Sequence, residues 1–343
     1  MEAVKAVKVK VPLRIGLAGG GTDKPEYYQT HGPGAVLSGA IDSCIYVDIA
    51  RNFFPEHMRV AYSKTEDRVE KITDIEHPVV REAIRLLVPE WGKQIVSITE
   101  VPSRGTGLGS SSSFAVGVLH ALHTMKHEKP TPMQLAAEAV LIERGILKEA
   151  GGIQDQYMAA LGGMQYIEVD MSGKVTAQAV DVTGDRLREL ESHFMLLWTG
   201  IERSSSAVHA EQSRGVGEHI ESYDKMRDYA RLMRKAIEHG DMQKVGTILH
   251  DGWMLKRSLS NGITNTEIDD WYAKARAAGA LGGKITGAGG GGFLLLFMEP
   301  KNRNAVKSAL PGLREWPFEF VTDGSKIVYE EHVPDYVQLR RTV

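Results

Sequence analysis

RGTGLGSSSSFAVG, residues 104–117, sets Gly105, Gly107 and Gly109 and then four consecutive serines against the start of an apolar stretch. Beyond the serines, Phe114, Ala115, Val118, Leu119, Leu122 and Met125 recur on one side of a helix, with His120, His123 and His127 on the other. The preceding QIVSITEV, residues 94–101, reads as a strand. A glycine loop between strand and helix leaves the first backbone N–H groups of the helix unpaired. Glycine also lets a ligand approach the main chain, so this helix end favours an anion such as phosphate. Thr106 and Leu108 complete the loop, and Ser110, Ser111 and Ser112 add hydroxyls for phosphate or a metal. The plainer reading is a capped helix after a loop, a need that one serine satisfies and four exceed.

Further strand-like runs lie at VKAVKVKVPLRIGL (4–17) and AVLSGAIDSCIYVDIA (35–50), and helical spacing marks the stretches after Ser113, around 133–150 and around 218–240. Interspersed strands and helices predict an α/β class. The polar stretch VDVTGDRLRELES (180–192) precedes the short apolar run HFMLLWTG (193–200), which places a boundary between domains 1–188 and 189–343. Near the C-terminus KITGAGGGG (284–292) leads into FLLLFM, a second glycine loop feeding a buried strand.

The 343 residues are 42% hydrophobic, enough for a sizeable core, and the formal net charge of -3 comes from charges of both signs spread along the chain. No basic face announces nucleic acid or an anionic membrane. Cys44 is the single cysteine, which excludes a disulfide framework and a multi-cysteine zinc site and suits a reducing compartment. MEAVKAVKVKVPLRIG lacks the apolar centre of a signal peptide, and no segment is long enough to span a bilayer. The expectation is a cytoplasmic protein; its oligomeric state is not legible.

Two familiar phosphate loops are set aside. No segment supplies the Walker spacing, and the G-x-G-x-x-G at Gly287, Gly289 and Gly292 leads into a strand where the dinucleotide fingerprint needs a helix. PLRIGLAGGGTD (12–23) leaves a strand through three glycines and ends at Thr22 and Asp23. Asp23 is either a helix cap or a sugar contact, since a carboxylate accepts bonds from two neighbouring hydroxyls. In LAAEAVLIERGILKEA (135–150), Ile142, Leu135, Ile146, Ala139, Ala150, Ala136, Leu147 and Val140 fill one helical arc with Glu143 near its middle. A carboxylate there needs a partner, either magnesium brought by a nucleotide or a buried arginine. In GGIQDQYMAALGG (151–163), Asp155 is either a helix cap or a group that orients a hydroxyl or takes its proton. The three histidines of HALHTMKH (120–127) read as a solvated stripe rather than a metal site.

PLRIGLAGGGTD, PSRGTGLGSSSSF, the segment from Glu143 to Asp155 and KITGAGGGGF together resemble, in order and across most of the chain, the GHMP small-molecule kinases. Within that superfamily, AGGGTD with ERGILKEAGGIQDQY is similar to the kinases of the anomeric hydroxyl of D-glycero-D-manno-heptose 7-phosphate. Galactokinases carry Glu-His where this chain has Gly20-Gly21. The resemblance implies an α/β (α+β) fold with an N-terminal domain like ribosomal S5 domain 2, a C-terminal ferredoxin-like domain, and an active site between them. It implies that Gly105 to Ser112 wrap the phosphates of ATP, that Ser111 and Glu143 hold Mg2+, and that Asp155 and Arg14 act at the reacting hydroxyl. Gly20, Gly21, Thr22 and Asp23 would meet the sugar, and Gly287, Gly289 and Gly290 would belong to a loop closing over the reaction centre. The partner implied is a small-molecule sugar phosphate. Arg203, in TGIERSSSAV, is a candidate for its phosphate or else the start of a surface helix. A kinase of another sugar, such as fucose or an octose phosphate, would use the same machinery; a non-catalytic sugar-binding regulator would not need Asp155, Glu143 and Ser111.

Overall fold

The computed structural model describes residues 2–87, 92–102, 105–202 and 205–334. Its first strand, β1 (Glu2–Ala18), buries Val7, Val9, Val11, Leu13, Ile15 and Leu17 at period two, with the partly exposed Lys8 and Lys10 interposed. It pairs antiparallel with β2 (Gly34–Arg51) along nearly its whole length, and the register slips between Pro12 and Leu13. Proline brings no N–H to the ladder, and the irregularity falls two residues before Arg14, where a bulge re-aims side chains.

Around this pair grows an eight-stranded sheet. β3 (Met58–Ala61), β4 (Thr65–Val69) and β5 (Lys93–Thr99) extend it on one side, β5 lying beside Ile45–Arg51 of β2. The other half of β2, Gly34–Gly39, pairs instead with β6 (Met164–Val169), which carries β7 (Val175–Ala179).

The second sheet has four strands: β8 (Phe194–Trp198), β9 (Ala280–Ile285), β10 (Phe293–Met298) and β11 (Arg314–Glu315), in the order β11-β8-β10-β9 and antiparallel throughout. Numbered from its own first strand this is 4-1-3-2, the ferredoxin-like arrangement. The apolar run FLLLFM is β10, buried at all six positions between β8 and β9. β12 (Lys326–Pro334) then returns to the first sheet and pairs with β1. We accordingly propose 1–188 and 189–343 as a division by chain order, with the last strand laid back on the first half.

The helices are α1 (Pro25–Tyr28), α2 (Pro78–Leu87), α3 (Ser110–Met125), α4 (Pro132–Val140), α5 (Gln154–Leu161) and α6 (Gly184–Ser192) in the first half. The second half has α7 (Ser205–Arg214), α8 (Ile220–His239), α9 (Met242–Arg257), α10 (Thr266–Ala277) and α11 (Arg303–Ala309). α3, α5 and α8 lie against both β1 and β2, which is why β2 is buried at every position from Gly34 to Ile41. α9 packs on β9 and also reaches β1, so the cleft described below is walled by both sheets.

The histidine stripe differs from expectation. His123 is buried, with Nδ1 2.6 Å from Glu128 Oε2 and Nε2 2.7 Å from Glu138 Oε2, because α4 folds back over that face of α3. Glu138 stands on α4, whereas Glu128 directly follows the HALHTMKH segment, and among the described residues no cluster of the metal-holding kind forms.

Candidate active site

Arg14 joins two of the segments. Its Nε and Nη2 donate to Asp155 Oδ1 and Oδ2 at 2.7 and 2.8 Å, a two-pronged pair, while Nη1 donates to the Gly107 carbonyl at 2.6 Å. The Arg14 main-chain N–H also donates to the carbonyl of Leu108 at 3.0 Å. One guanidinium therefore holds the glycine loop beside the carboxylate of Asp155. Asp155 is the second residue of α5, whose cap position is Ile153, so its side chain serves Arg14 rather than the helix end.

The loop itself is shaped by backbone contact. Gly107 has φ of 72°, in the left-handed region, and a Cβ there would strike the carbonyl of Thr286. Thr286 Oγ1 donates to the Thr106 carbonyl at 2.8 Å, and Gly287 lies directly against Gly107. The second glycine loop thus braces the first from behind, with Gly287 alone of its predicted trio lining the cleft. Gly289 packs on Ile263, and the Gly290 N–H donates to the Ile263 carbonyl at 2.5 Å.

α3 starts after Gly109, and among the described residues no side chain caps that end. The amides of its first turn are available to an anion. Ser113 is turned inward, donating to the Pro12 carbonyl at 2.9 Å. Ser111 and Ser112 are occupied by Glu143: their hydroxyls donate to its Oε1 and Oε2 at 2.9 and 2.7 Å, and Gln156 Nε2 donates to Oε2 at 2.5 Å.

Glu143 is 0% exposed, as its place in the apolar arc predicts. The arc does not persist: from Leu141 to Ile146 the helix widens into a π turn, which shifts the phase and leaves Ile146 45% exposed. Among the described residues no basic group pairs with Glu143; hydroxyls and an amide do. The fit to a cation rests on this donor set. Mg2+ takes oxygen ligands, the carboxylate sits with two hydroxyls at the helix start, and Gln156 Oε1 beside them is buried without a partner among the described residues. These residues fit magnesium.

The remaining wall carries the 19–23 turn. Gly20, Gly21 and Asp23 line the cleft. Asp23 Oδ1 accepts from the Gly21 N–H and Oδ2 from the Gln154 N–H, both at 3.0 Å, so it tethers the turn to the first residue of α5. Thr22 points elsewhere, its hydroxyl bonded to main-chain groups of Gly19 and Ala35. Arg203 lies outside the described residues.

Four basic residues that sequence reasoning passed over complete the cleft: Lys24, Arg144, Lys256 and Lys284. Lys24 Nζ donates to Gln212 Oε1 at 3.2 Å, and Gln212 Nε2 donates to the Ala288 carbonyl at 3.0 Å. Lys256 Nζ donates to the carbonyl of Gly287. Arg144 Nε donates to the Gly152 carbonyl at 2.9 Å. Burial pushes the Lys24 ammonium down to about 8 against the pull of Asp23, and burial with Arg14 nearby pushes Lys284 down to about 8. The only sequence signal was adjacency: Lys24 follows Asp23, Arg144 follows Glu143, and Lys284 opens KITGAGGGG.

Comparison with known proteins decides the family. Residues 78–163 match the GHMP kinases N terminal domain and residues 233–313 match GHMP kinases C terminal. A mevalonate kinase of Thermococcus sibiricus is 30% identical over 243 residues, 67% of this chain and 68% of the relative. The chain belongs to the GHMP kinases. It is an enzyme, a phosphotransferase acting on a hydroxyl group. The D-glycero-alpha-D-manno-heptose 7-phosphate kinase of Campylobacter jejuni is 29% identical over 318 residues, 89% of this GHMP kinase and 93% of the relative. A solved structure described as a D-glycero-D-manno-heptose 1-phosphate kinase from Bacteroides thetaiotaomicron superposes with a TM-score of 0.78 at 27% identity, covering 94% of this chain and 99% of that one. The two-sheet α/β (α+β) architecture is that of the GHMP kinase fold. Among the described residues no helix is long and apolar enough to cross a membrane.

Proposed function

We propose that this GHMP kinase transfers the γ-phosphoryl group of ATP, with Mg2+, to the anomeric (C1) hydroxyl of D-glycero-D-manno-heptose 7-phosphate. The observation that carries the substrate class is charge. Arg14, Lys24, Arg144, Lys256 and Lys284 line a cleft whose carboxylates are Asp23 and Asp155. Asp155 answers Arg14 and Glu149 lies 3.8 Å from Arg144, so Lys24, Lys256 and Lys284 against Asp23 leave the cleft in cationic excess, as a substrate with its own phosphate requires. The printed name of the Campylobacter relative supports the same substrate. Lys24 and Arg144, beside Asp23, are proposed anchors of that phosphate in addition to Arg203. The single cysteine is buried and free, which suits a reducing compartment, and we place the reaction in the cytoplasm.

The residues divide the chemistry. Amides from Gly105 to Ser112 hold the ATP phosphates, Ser111 and Glu143 hold Mg2+, and Asp23 with the Gly20 and Gly21 backbone positions the sugar hydroxyls. Bound Mg2+ supplies charge neutralisation at the phosphates. The anomeric oxygen forms a bond to the γ-phosphorus as the bond to the β,γ-bridging oxygen breaks, and ADP departs. Asp155 takes the hydroxyl proton or, held by Arg14, chiefly orients the hydroxyl; the acidity of an anomeric hydroxyl makes either sufficient.

The test is ADP release by the full chain with ATP, Mg2+ and a panel comprising heptose 7-phosphate, the unphosphorylated heptose, galactose, fucose and mevalonate. Heptose 7-phosphate should be preferred by about a hundredfold or more in kcat/KM, the value of one or two charge-assisted hydrogen bonds. Phosphorus NMR should couple the new phosphate to the anomeric proton. Lys24→Met should raise KM for the phosphorylated heptose about thirtyfold and leave the unphosphorylated sugar nearly unaffected. Preference for a sugar lacking phosphate would overturn the substrate reading. Glu143→Gln should raise the Mg2+ concentration for half-maximal rate about tenfold or more, and an unshifted magnesium titration would make Glu143 a purely structural acceptor for the two serines.

A further inference from the structure

Lys284 is the next-to-last residue of β9, in the second sheet, yet its Nζ donates to the Gly16 carbonyl of β1 at 2.8 Å. It therefore reaches across to the strand that carries Arg14, and it lines the same cleft as Arg14 and Asp155. Its electrostatic surroundings separate it from Lys24. Lys24 feels Asp23, Glu26 and Arg144, at the sugar end, whereas Lys284 feels Arg14.

That placement is unfavourable on its own. Arg14 is neutralised by Asp155, but among the described residues no carboxylate lies within ion-pair distance of Lys284, whose acceptor is a neutral carbonyl. A half-buried ammonium beside a guanidinium costs desolvation and repulsion together. A latch between the sheets would be made as well by an uncharged donor. The positive charge is accounted for when an anion arrives, and the anion formed at the Arg14 end of the cleft is the phosphoryl group in transit.

Resting on the kinase reading above, we propose that Lys284 is a further cation of the transfer site, its ammonium donating to a non-bridging oxygen of the γ-phosphoryl group as it moves from ADP to the acceptor. Lys284 keeps its protons throughout; the acceptor's proton goes to Asp155 or, where Asp155 only orients the hydroxyl, to solvent, and the electron pair of the broken P–O bond leaves with ADP. A donor that meets charge developing in the transition state acts on kcat more than on KM.

Lys284→Met should lower kcat about a hundredfold and change the sugar KM less than about threefold, with Lys284→Arg recovering at least a tenth of the lost rate. The pH profile supplies a readout that a latch would not move. The rate needs the charged lysine, which is present below about 8 and lost as pH rises through it, so kcat/KM, which reports free enzyme, falls on the alkaline side. The charged groups sharing the cleft are Arg14 on β1, Asp155 on α5, Lys256 on α9, and Asp23, Lys24 and Arg144. Lys24 titrates in the same range, so the criterion is steepness: Lys284→Arg should make the alkaline fall shallower by one proton. An unchanged steepness, or Lys284→Met within about threefold of wild-type kcat, overturns the proposal. If Lys284→Met does not fold, the arginine variant and its pH profile carry the decision. Wild-type turnover on a different acceptor refutes the heptose reading and leaves the Lys284 comparison standing on that acceptor; no turnover on any acceptor refutes both.

Discussion

Asp155→Asn should lower kcat by about three to four orders of magnitude while ATP binding, followed by calorimetry, stays within about threefold. The substitution keeps the shape of the side chain and removes its charge. In the folded protein that carboxylate faces Arg14 Nε and Nη2 at 2.7 and 2.8 Å, and Arg14 in turn holds the Gly107 carbonyl. An asparagine can accept one of the two bonds but presents an amide N–H to the other donor. Two losses follow. On the proposed mechanism the hydroxyl has no carboxylate to take its proton or orient it, a contribution of about 10² to 10⁴ in rate, and the guanidinium is left partly unanswered at the proposed reaction centre, where excess positive charge misplaces the hydroxyl. The phosphate loop keeps its bracing from Thr286 and Gly287, so nucleotide binding persists. Thermal unfolding measured alongside separates lost chemistry from lost fold, since uncovering the charge of Arg14 should cost about 3 kcal/mol. A variant that turns over within about tenfold of wild type would remove Asp155 from the catalytic centre.

How much of this was legible in the sequence depends on the range of the interaction concerned. Alternation in VKAVKVKVPLRIGL and the continuous run FLLLFM are local properties, and they became β1 and β10. Burial of Glu143 was local too, but the π turn that contains it was not, and so Ile146 left the arc. His123 looked solvated although one partner, Glu128, lies just past its helix in sequence, because the other, Glu138, stands on another helix that folds over it. The cationic excess in the cleft was illegible for the same reason. Lys24, Lys256 and Lys284 come from a turn, a helix and a strand spread over more than two thirds of the chain, and a net charge of -3 conceals their concentration in one place. The glycine loops show the limit most plainly. A glycine-rich run suggests close approach at Gly107 and Gly287, but not whether a ligand or another stretch of backbone requires it; for Gly107 it is the Thr286 carbonyl, and for Gly287 it is Gly107.

Gly152 offers the second large effect, because there a side chain is what forbids the Cβ. Gly152→Ala should raise the sugar KM about a hundredfold and lower kcat about tenfold, with ATP affinity unchanged. Its backbone is not in the left-handed region, so alanine brings no conformational strain, and the whole effect comes from one methyl group. That methyl would overlap the carboxylate of Asp23. Asp23 is held by the N–H groups of Gly21 and Gln154 and cannot yield without breaking both bonds, each to a charged acceptor and each contributing about 1.5 to 3 kcal/mol. Displacement therefore loosens the 19–23 turn, where the sugar is proposed to bind, and the first turn of α5, where Asp155 begins. A double-mutant cycle tests this route: in an Asp23→Ser background the carboxylate is gone, so adding Gly152→Ala should raise KM less than about threefold further. Independent, additive penalties from the two substitutions would mean that Gly152 acts through something other than Asp23, and the tether between the turn and α5 would lose its assigned part in holding the sugar.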